Sequence, residues 1–303
     1  MNYFPNSSEE IELLKFVAKY QYITITNASI FFKSKTYYRR RIYNLIDKDF
    51  LRRIKWNLVL GDLGIEYAKT FNFEYNALNR NSKYIPRLLY LSNLAAYYYK
   101  CNTLKFTPSF SIKDKEIFTT TARRFIGILQ INGFEYLAYH ISKEHTHKYV
   151  SSVIYDIQKE KNYKNIIVLI DDTSNLFDES FVFGMNQLLI ISDTTENREK
   201  LKYMHNVNWP RIIHDYYKNN VYLSEYNFCE YTDYKNKYIN TFYFLDTEKI
   251  NRIKYFLREN RNKNMTILCD KTLKEELQRE LPNCDYVIID LEKYVEKDIV
   301  MYD

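Results

Sequence analysis

The first 70 residues combine helical spacing of apolar side chains with almost all of the net positive charge of the chain. They contain 12 lysines and arginines against 7 acidic residues, whereas the whole chain of 303 residues has a formal net charge of +6. The residues that follow are therefore nearly neutral. A basic excess confined to a small helical segment is typical of a nucleic-acid-binding domain.

Three helical patterns come before two strand patterns in this segment. Ser7 lies three residues before Glu10, which is the spacing of a capping box and predicts the start of the first helix. Thr26 or Asn27 is expected to cap a brief second helix. The spacing of apolar residues then predicts a third helix over 36–47.

The third helix and the strands after it supply the predicted DNA-contacting side chains. The apolar side of this helix is opposed by a polar side, as a recognition helix requires. Strands at 50–54 and 58–60 around a three-residue turn predict a wing that brings charge to backbone phosphates. Arg40, Arg41 and Asn44 are expected to face bases, because Arg pairs with guanine and Asn with adenine. The predicted DNA-binding residues are Ser34, Lys35, Tyr37, Arg40, Arg41, Asn44, Lys48, Arg52, Arg53 and Lys55.

These patterns predict a winged helix-turn-helix domain over residues 1–74 that binds double-stranded DNA. Asp62 is expected to cap the helix that follows the wing. The alternative interpretation of the basic side is a solvated surface on a winged helix that binds another protein.

The remaining residues, 75–303, predict an α/β domain. An Asn-rich stretch over 75–83 places the domain boundary, and 84–100 is expected to be a helical connector. Asn132-Gly133 is a strong signal for a hairpin turn. Strand and helix patterns alternate over 241–289, which favours a parallel or mixed sheet covered by helices. The predicted fold class is α/β (α+β overall).

Residues 8–100 resemble the start of the plasmid replication-relaxation family. The resemblance is carried by the stretches 13–24 and 40–53, by the turn Gly64-Ile65-Glu66-Tyr67-Ala68, and by Leu91-Ser92-Asn93-Leu94-Ala95. The family usually has a histidine near the middle of this last stretch, where this chain has Ser92 or Asn93. The resemblance implies a role in plasmid or mobile-element replication and a C-terminal domain that is similar to restriction endonucleases.

Such a nuclease fold implies a Pro-Asp pair followed by a strand with an acidic residue and a lysine two positions on. This chain has Pro108-Ser109 at the best-matching place. The second region offers Gln130, or Glu135-Tyr136-Leu137, without the lysine. The resemblance therefore implies a degenerate restriction-endonuclease-like fold whose metal site is lost or displaced.

Three further groups of residues are candidates for a catalytic or metal-binding role. His140, His145 and His147 cluster in sequence with Glu135 and Glu144, but their spacing favours surface histidines over a zinc site. Asp171-Asp172 ends an apolar strand, which is where α/β proteins place chemistry and also where ordinary turns begin. The tyrosines at 97–99 are best explained by a buried helix. We therefore predict no catalytic, cofactor-binding or metal-binding residues and no cofactor.

Several protein classes are excluded by what the sequence lacks. It has no P-loop, no GxGxxG and no nucleophile elbow, and its four cysteines have no zinc-knuckle spacing. No apolar run approaches the ~20 residues of a membrane span. Without a secretory signal, we expect a cytoplasmic protein with reduced thiols and no membrane partner.

The sequence thus predicts a sequence-specific DNA-binding protein of a plasmid, phage or other mobile element. It would act in replication control or transcriptional regulation, as a homodimer whose non-catalytic α/β domain dimerises or binds a host or replication protein. Two alternatives stay open. One is a metal-dependent nuclease or nicking enzyme with carboxylates near Asp171 or Glu135, and the other is an interaction factor that inhibits a host protein.

Overall fold

The protein is described here from a computed structural model. The structure describes residues 5, 7–81, 83–112, 124–171, 184–218, 220–226, 228–260 and 264–296. The chain divides into two compact units, unit 1 (Met1–Cys101) and unit 2 (Asn102–Asp303). Helices and three sheets occur together, so the predicted α/β class is confirmed at this level.

Unit 1 is built from helices around one small sheet. The three strands pair antiparallel in the order β1-β3-β2. The elements, in chain order, are α1 (Ser8–Tyr20), β1 (Ile23–Thr24), α2 (Ile25–Ala28), a 3₁₀ turn (Ser29–Phe31), α3 (Tyr38–Asp47), β2 (Leu51–Ile54), β3 (Asn57–Leu60), α4 (Asp62–Thr70) and α5 (Ile85–Tyr98).

The helix starts of unit 1 follow from local side-chain caps. The Ser7 hydroxyl accepts a hydrogen bond from the Glu10 N–H at 3.2 Å, which confirms the predicted start of α1. The cap of α2 is Thr24, whose hydroxyl accepts from the Asn27 N–H at 3.1 Å, and not Thr26 or Asn27 as predicted. The difference arises because Thr24 ends strand β1 in an extended conformation and the helix begins at the next residue, Ile25, which is earlier than predicted.

Helix α4 begins differently from the prediction as well. Asp62 is the first helical residue, and Gly61 holds the cap position without a side-chain hydrogen bond. The Asp62 N–H instead donates to Asp49 Oδ2 at 3.0 Å. A Cβ on Gly61 would lie 2.2 Å from the Asp49 carbonyl oxygen, so only glycine allows this close approach.

Helix α5 belongs to unit 1, so the boundary between the units lies at 101/102 rather than 74/75. The Ser92 hydroxyl donates to the carbonyl oxygen of Tyr22, and Asn27 Nδ2 donates to Asn93 Oδ1 at 2.9 Å. The predicted boundary stretch is itself held against α1, since Asn76 Nδ2 donates to the Lys19 carbonyl oxygen at 2.7 Å. These long-range contacts, which no local pattern shows, make the predicted connector part of the first core.

In the described part of unit 2, the strands form two five-stranded sheets. The first sheet is formed by β4 to β8 and the second sheet by β9 to β13. The elements, in chain order, are β4 (Leu104–Pro108), a 3₁₀ turn (Ser109–Ser111), β5 (Gly127–Ile131), β6 (Phe134–Ile141), α6 (His147–Lys159), β7 (Asn165–Ile170), β8 (Gln187–Ser192), α7 (Thr195–Leu201), α8 (Trp209–Tyr217), β9 (Val221–Leu223), β10 (Tyr231–Asp233), β11 (Tyr238–Phe242), α9 (Thr247–Glu259), β12 (Met265–Cys269), α10 (Lys274–Glu280), β13 (Asp285–Ile288) and a 3₁₀ turn (Leu291–Tyr294).

The two sheets share one topology. In each, the strands lie side by side in the order in which they occur along the chain. In each, the first two pairings are antiparallel and the last two are parallel. Parallel neighbours need a crossover connection, which α6 supplies in the first sheet and α9 and α10 supply in the second. The predicted mixed sheet with helices packed against it is confirmed.

Local turn chemistry and apolar spacing account for much of unit 2. Asn132 and Gly133 adopt φ of 48° and 87° between β5 and β6, which confirms the predicted hairpin. Val150, Val153 and Ile157 of α6 pack into the core of the first sheet. Each such buried side chain contributes about 1.5–3 kcal/mol as an upper bound. Across the described parts of the chain, no helix has both the length and the apolar character needed to cross a membrane.

Candidate functional site

Helix α3 presents a polar stripe to solvent. Arg40, Asn44 and Lys48 follow one another at intervals of four residues and are all exposed, whereas Ile42 and Leu45 on the other side are buried. The predicted residues before the helix are exposed too: Ser34, Lys35 and Tyr37. The structure therefore brings six of the predicted residues to the α3 surface, meaning Ser34, Lys35, Tyr37, Arg40, Asn44 and Lys48.

Arg41 does not share this surface, which corrects the predicted face of the helix. Its guanidinium pairs with Glu9, donates from Nε to Glu10 Oε1 at 3.1 Å and donates to the Ser7 hydroxyl. Arg41 lies one helical turn before buried Leu45, so it borders the apolar stripe and meets the first turn of α1. Its charge is already neutralised within unit 1.

Arg52 in β2 is also committed to carboxylates. Its Nε lies 2.8 Å from Asp49 Oδ1, and its Nη2 pairs with Asp62. The same guanidinium is the main cause that lowers the pKa of Asp49. The sequence placed Arg52 beside phosphates, but the structure uses it to join the end of α3 to the start of α4.

The turn between β2 and β3 is the most exposed part of the hairpin. Ile54 pairs with Asn57, so two residues form the turn instead of the predicted three. Arg53 Nε donates to the Lys55 carbonyl oxygen at 2.7 Å, and its guanidinium lies 5.3 Å from the ring centroid of Trp56. Trp56 is 74% exposed. Sequence reasoning missed this tryptophan, although a large aromatic residue at a basic turn was a visible signal.

A second group of functional side chains lies at the carboxyl edge of the first sheet. His140 lies near the end of β6, Asp171 directly follows β7 and Asp193 directly follows β8. The pairing register aligns these ends, because the Asp171 N–H donates to the Ile141 carbonyl oxygen at 3.1 Å. The Asp193 N–H likewise donates to the Ile170 carbonyl oxygen at 2.8 Å. Parallel strands therefore bring three residues from distant parts of the sequence together.

The side chains of this group converge, and we call it the edge cluster (His140, Asp171 and Asp193). His140 Nε2 lies 2.8 Å from Asp171 Oδ1 and 3.9 Å from Asp193 Oδ2. One ligand-type atom from each of the three residues lies within 4.8 Å of the others. The side chain of Asp193 is almost fully buried and receives two hydrogen bonds from the Arg198 guanidinium, at 2.6 and 2.8 Å. Asp171 keeps about a third of its side chain exposed, at 35%.

The edge cluster differs from the histidine group considered in the sequence. His145 Nδ1 accepts from the Ser142 N–H at 2.9 Å, and its ring stacks on Tyr149 at 3.8 Å. His147 is an exposed residue at the start of α6, and Glu135 and Glu144 are exposed as well. The predicted surface pair was His145 and His147, whereas His140, from the same group, is buried. Asp172 lies outside the described residues.

The remaining candidates have structural explanations. Tyr98 is buried in α5 and Tyr97 is half-buried, whereas Tyr99 follows the helix and is 39% exposed, so the buried-helix interpretation of 97–99 is wrong for Tyr99. The four cysteines, all within the described residues, form no disulfide. Burial raises the pKa of Cys284 to about 11 and that of Cys269 to about 12, so both stay protonated and unreactive near neutral pH.

A cavity of about 540 Å³ lies between the two sheets of unit 2, and its walls combine aromatic with polar and charged side chains. The Tyr136 hydroxyl donates to Gln187 Oε1 at 2.8 Å and lies 2.9 Å from His205 Nε2. Burial raises the pKa of Asp246 on the same wall and lowers that of His205. The volume suits a small molecule. None of the edge-cluster residues is part of its lining.

The chain matches no model of a known protein family, no curated protein and no solved structure. Functional proposals for it therefore rest on the geometry of the α3 surface, the β2–β3 turn and the edge cluster.

Proposed function

We propose that unit 1 contains a winged helix that binds double-stranded DNA in a sequence-specific way. The proposal is supported by the order α1-β1-α2-α3-β2-β3, with α3 in the place of a recognition helix and the β2–β3 turn in the place of a wing. The protein would act in replication control or transcriptional regulation on a mobile element. This extends the resemblance to the plasmid replication-relaxation family.

The observation that carries the proposal is the exposed stripe of Arg40, Asn44 and Lys48. Within the described residues, none of the three has an ion-pair partner, so each can reach a ligand without breaking an existing contact. Arg pairs with the edge of guanine and Asn with the edge of adenine, and each good pair contributes about 1–3 kcal/mol of discrimination. Lys48, at the end of the stripe, would contact a phosphate.

The β2–β3 turn would supply contacts that do not depend on sequence. Lys55 and the guanidinium of Arg53 place positive charge on the most exposed part of the hairpin. Trp56 adds a flat apolar ring that can pack on a sugar or a base. Phosphate contacts fix position on the duplex and weaken with salt, while base contacts select the sequence.

Arg41 and Arg52 are not part of the proposed contact set, because carboxylates of unit 1 already hold both guanidinium groups. We expect Arg41→Ala to lower the stability of unit 1. It would reduce DNA binding only to the extent that folding is lost. This separates Arg41 from its neighbour Arg40.

The test is fluorescence anisotropy of the full chain with DNA fragments from its own gene neighbourhood, with a salt titration and random competitor DNA. We expect Arg40→Ala to abolish the preference for the specific fragment, and Arg53→Ala to weaken specific and random DNA alike. Arg258→Ala, an exposed arginine of α9 in unit 2, removes the same charge and should leave both affinities unchanged. Equal losses on both DNAs for Arg40→Ala and Arg53→Ala would refute this division. Absence of DNA binding at low salt would favour the protein-interaction alternative.

A second candidate function, a metal-dependent nuclease, is favoured by the edge cluster. Two carboxylates and an imidazole at the carboxyl edge of a parallel sheet are a plausible setting for metal-assisted hydrolysis. Cleavage of supercoiled plasmid that requires Mg²⁺ or Mn²⁺ and is lost in Asp171→Asn would support it. DNA binding without cleavage would leave unit 2 as a domain for dimerisation or partner binding.

A further inference from the structure

We propose that the edge cluster is a binding site for a divalent transition-metal cation of the Mn²⁺ type, with His140, Asp171 and Asp193 as its ligands. This proposal concerns unit 2 alone and holds whether or not unit 1 binds DNA. It also differs from the sequence-based expectation, which assigned no metal to the chain.

The spacing of the three side chains fits one ion. Ligand atoms about 2.1 Å from an octahedral ion are about 3.0 Å apart when adjacent and about 4.2 Å apart when opposite. The distances from His140 Nε2 to the two carboxylate oxygens, 2.8 and 3.9 Å, each lie within about 0.3 Å of one of these two values. The three atoms already lie within 4.8 Å of one another. Only small side-chain rotations are needed to admit an ion.

The ligand types select the class of cation. Carboxylates suit Mg²⁺, Ca²⁺ and Mn²⁺, whereas imidazole suits transition metals. A set of one imidazole and two carboxylates therefore favours Mn²⁺ over the two hard cations, with Zn²⁺ as a competitor. Three protein ligands and a partly exposed Asp171 leave coordination positions for water or a substrate oxygen, as in sites with an open position.

The contact between Arg198 and Asp193 also fits a metal ligand. Arg198 holds Asp193 with two hydrogen bonds, which fixes the orientation of that carboxylate as an outer partner of a metal ligand does.

The test uses the full chain and Mn²⁺ alone as the probe. Titration followed by electron paramagnetic resonance counts bound Mn²⁺, and electron spin-echo modulation detects a coordinated imidazole nitrogen. We expect one site with nitrogen modulation, which His140→Gln removes. We expect Asp171→Asn to weaken binding at least about 10-fold. The matched control is Glu135→Gln at the opposite end of β6, which makes the same charge change and should bind Mn²⁺ like wild type.

Each result decides the proposal. Asp171 is partly exposed and Asn has nearly the same shape, so a folded variant is expected, which circular dichroism checks. Absence of Mn²⁺ binding up to 1 mM, bound Mn²⁺ without nitrogen modulation, or equal weakening in Glu135→Gln would each overturn it. The wild-type spectrum alone suffices for the first two outcomes.

Discussion

The two sheets of unit 2 have the same strand order and the same pattern of pairing, but their carboxyl edges carry different chemistry. The pairing registers allow the two edges to be compared position by position. Thr241 of the second sheet takes the place of His140, and Asp270 takes the place of Asp171. In each sheet an aspartate follows the strand that the first crossover helix leads into, β7 in the first sheet and β12 in the second. The shared topology does not determine the role of that aspartate.

The other positions of the second edge exclude a cation site. Ile289 takes the place of Asp193. Asp270 is paired with Lys200 Nζ at 2.6 Å and accepts hydrogen bonds from Thr272. Burial alone would raise the pKa of Asp270, but the hydrogen bonds from Lys200 and Thr272 outweigh burial and lower it. The aspartate of the second edge is thus paired with a lysine, whereas Asp171 at the first edge lies 2.8 Å from a histidine nitrogen.

The largest expected effect contrasts Asp193 at the edge of the first sheet with Asp290 at the edge of the second. Asp193→Asn removes the carboxylate charge that pairs with the Arg198 guanidinium, and breaking such a largely buried pair costs about 3 kcal/mol in free energy of unfolding. Asp290→Asn, next to Ile289 at the second edge, breaks only an exposed pair with Lys293 and should change the stability by less than about 0.5 kcal/mol. Urea denaturation of both variants measures the contrast. Similar losses in the two would remove the distinction between the edges.

The next prediction gives the first edge the residue of the second. In His140→Thr, which places at this position the residue type found at 241, Mn²⁺ should no longer stabilise the protein. A ligand at 100 times its dissociation constant stabilises the folded state by about 2.7 kcal/mol, so wild type should show a clear rise in melting temperature with Mn²⁺. Differential scanning fluorimetry with and without Mn²⁺ is the measurement. Thr241→Ala is the control and should keep the wild-type shift.

The sequence predicted local elements well because their signals are local. The pattern of apolar residues predicts a helix from His147 to about Lys159 and a strand over 265–269, and these are the bounds of α6 and β12. The same kind of pattern predicts a strand over 241–245, but the observed strand, β11, lies at Tyr238–Phe242. The apolar and aromatic residues continue through Leu245, so the pattern could not show where the pairing with β12 ends.

The sites were harder to predict because they depend on long-range contacts. Nothing near Arg41 in the sequence shows that the first turn of α1 will meet it, although its position one turn before Leu45 was a usable sign. The edge cluster required knowledge that β6, β7 and β8 are neighbours. Asp171 and Asp193 each follow an apolar strand, and two such aspartates in adjacent parallel strands could have been placed at one edge.

A smaller effect, with a defined pH dependence, tests the neutralised second edge. The folded-state pKa of Asp270 lies below its ordinary value of 3.8, so its ionised form stabilises the fold above that value. We expect Asp270→Asn to lower the free energy of unfolding by about 1–2 kcal/mol at pH 7. The difference from wild type should stay constant down to about pH 5 and shrink as the pH falls through the folded-state pKa. Urea denaturation from pH 7 to pH 3 measures it, and a difference that persisted unchanged at pH 3 would contradict the pairing with Lys200.

The smallest effect compares the caps of the crossover helices. The hydroxyl of exposed Thr146 caps α6, while buried Asp246 caps α9 and also accepts from the Leu188 N–H at 3.3 Å. Burial raises the pKa of Asp246, so the unfolded state loses its proton first as the pH rises above 3.8, and stability falls until the folded carboxyl has ionised. Asn caps a helix as well as Asp but does not titrate, so Asp246→Asn should gain about 0.5 kcal/mol over wild type between pH 4 and pH 7. Thr146→Ala should instead lose about 1 kcal/mol at every pH. Thermal unfolding across this range distinguishes the two variants. A difference between Asp246→Asn and wild type that did not change from pH 4 to pH 7 would contradict the raised pKa of Asp246.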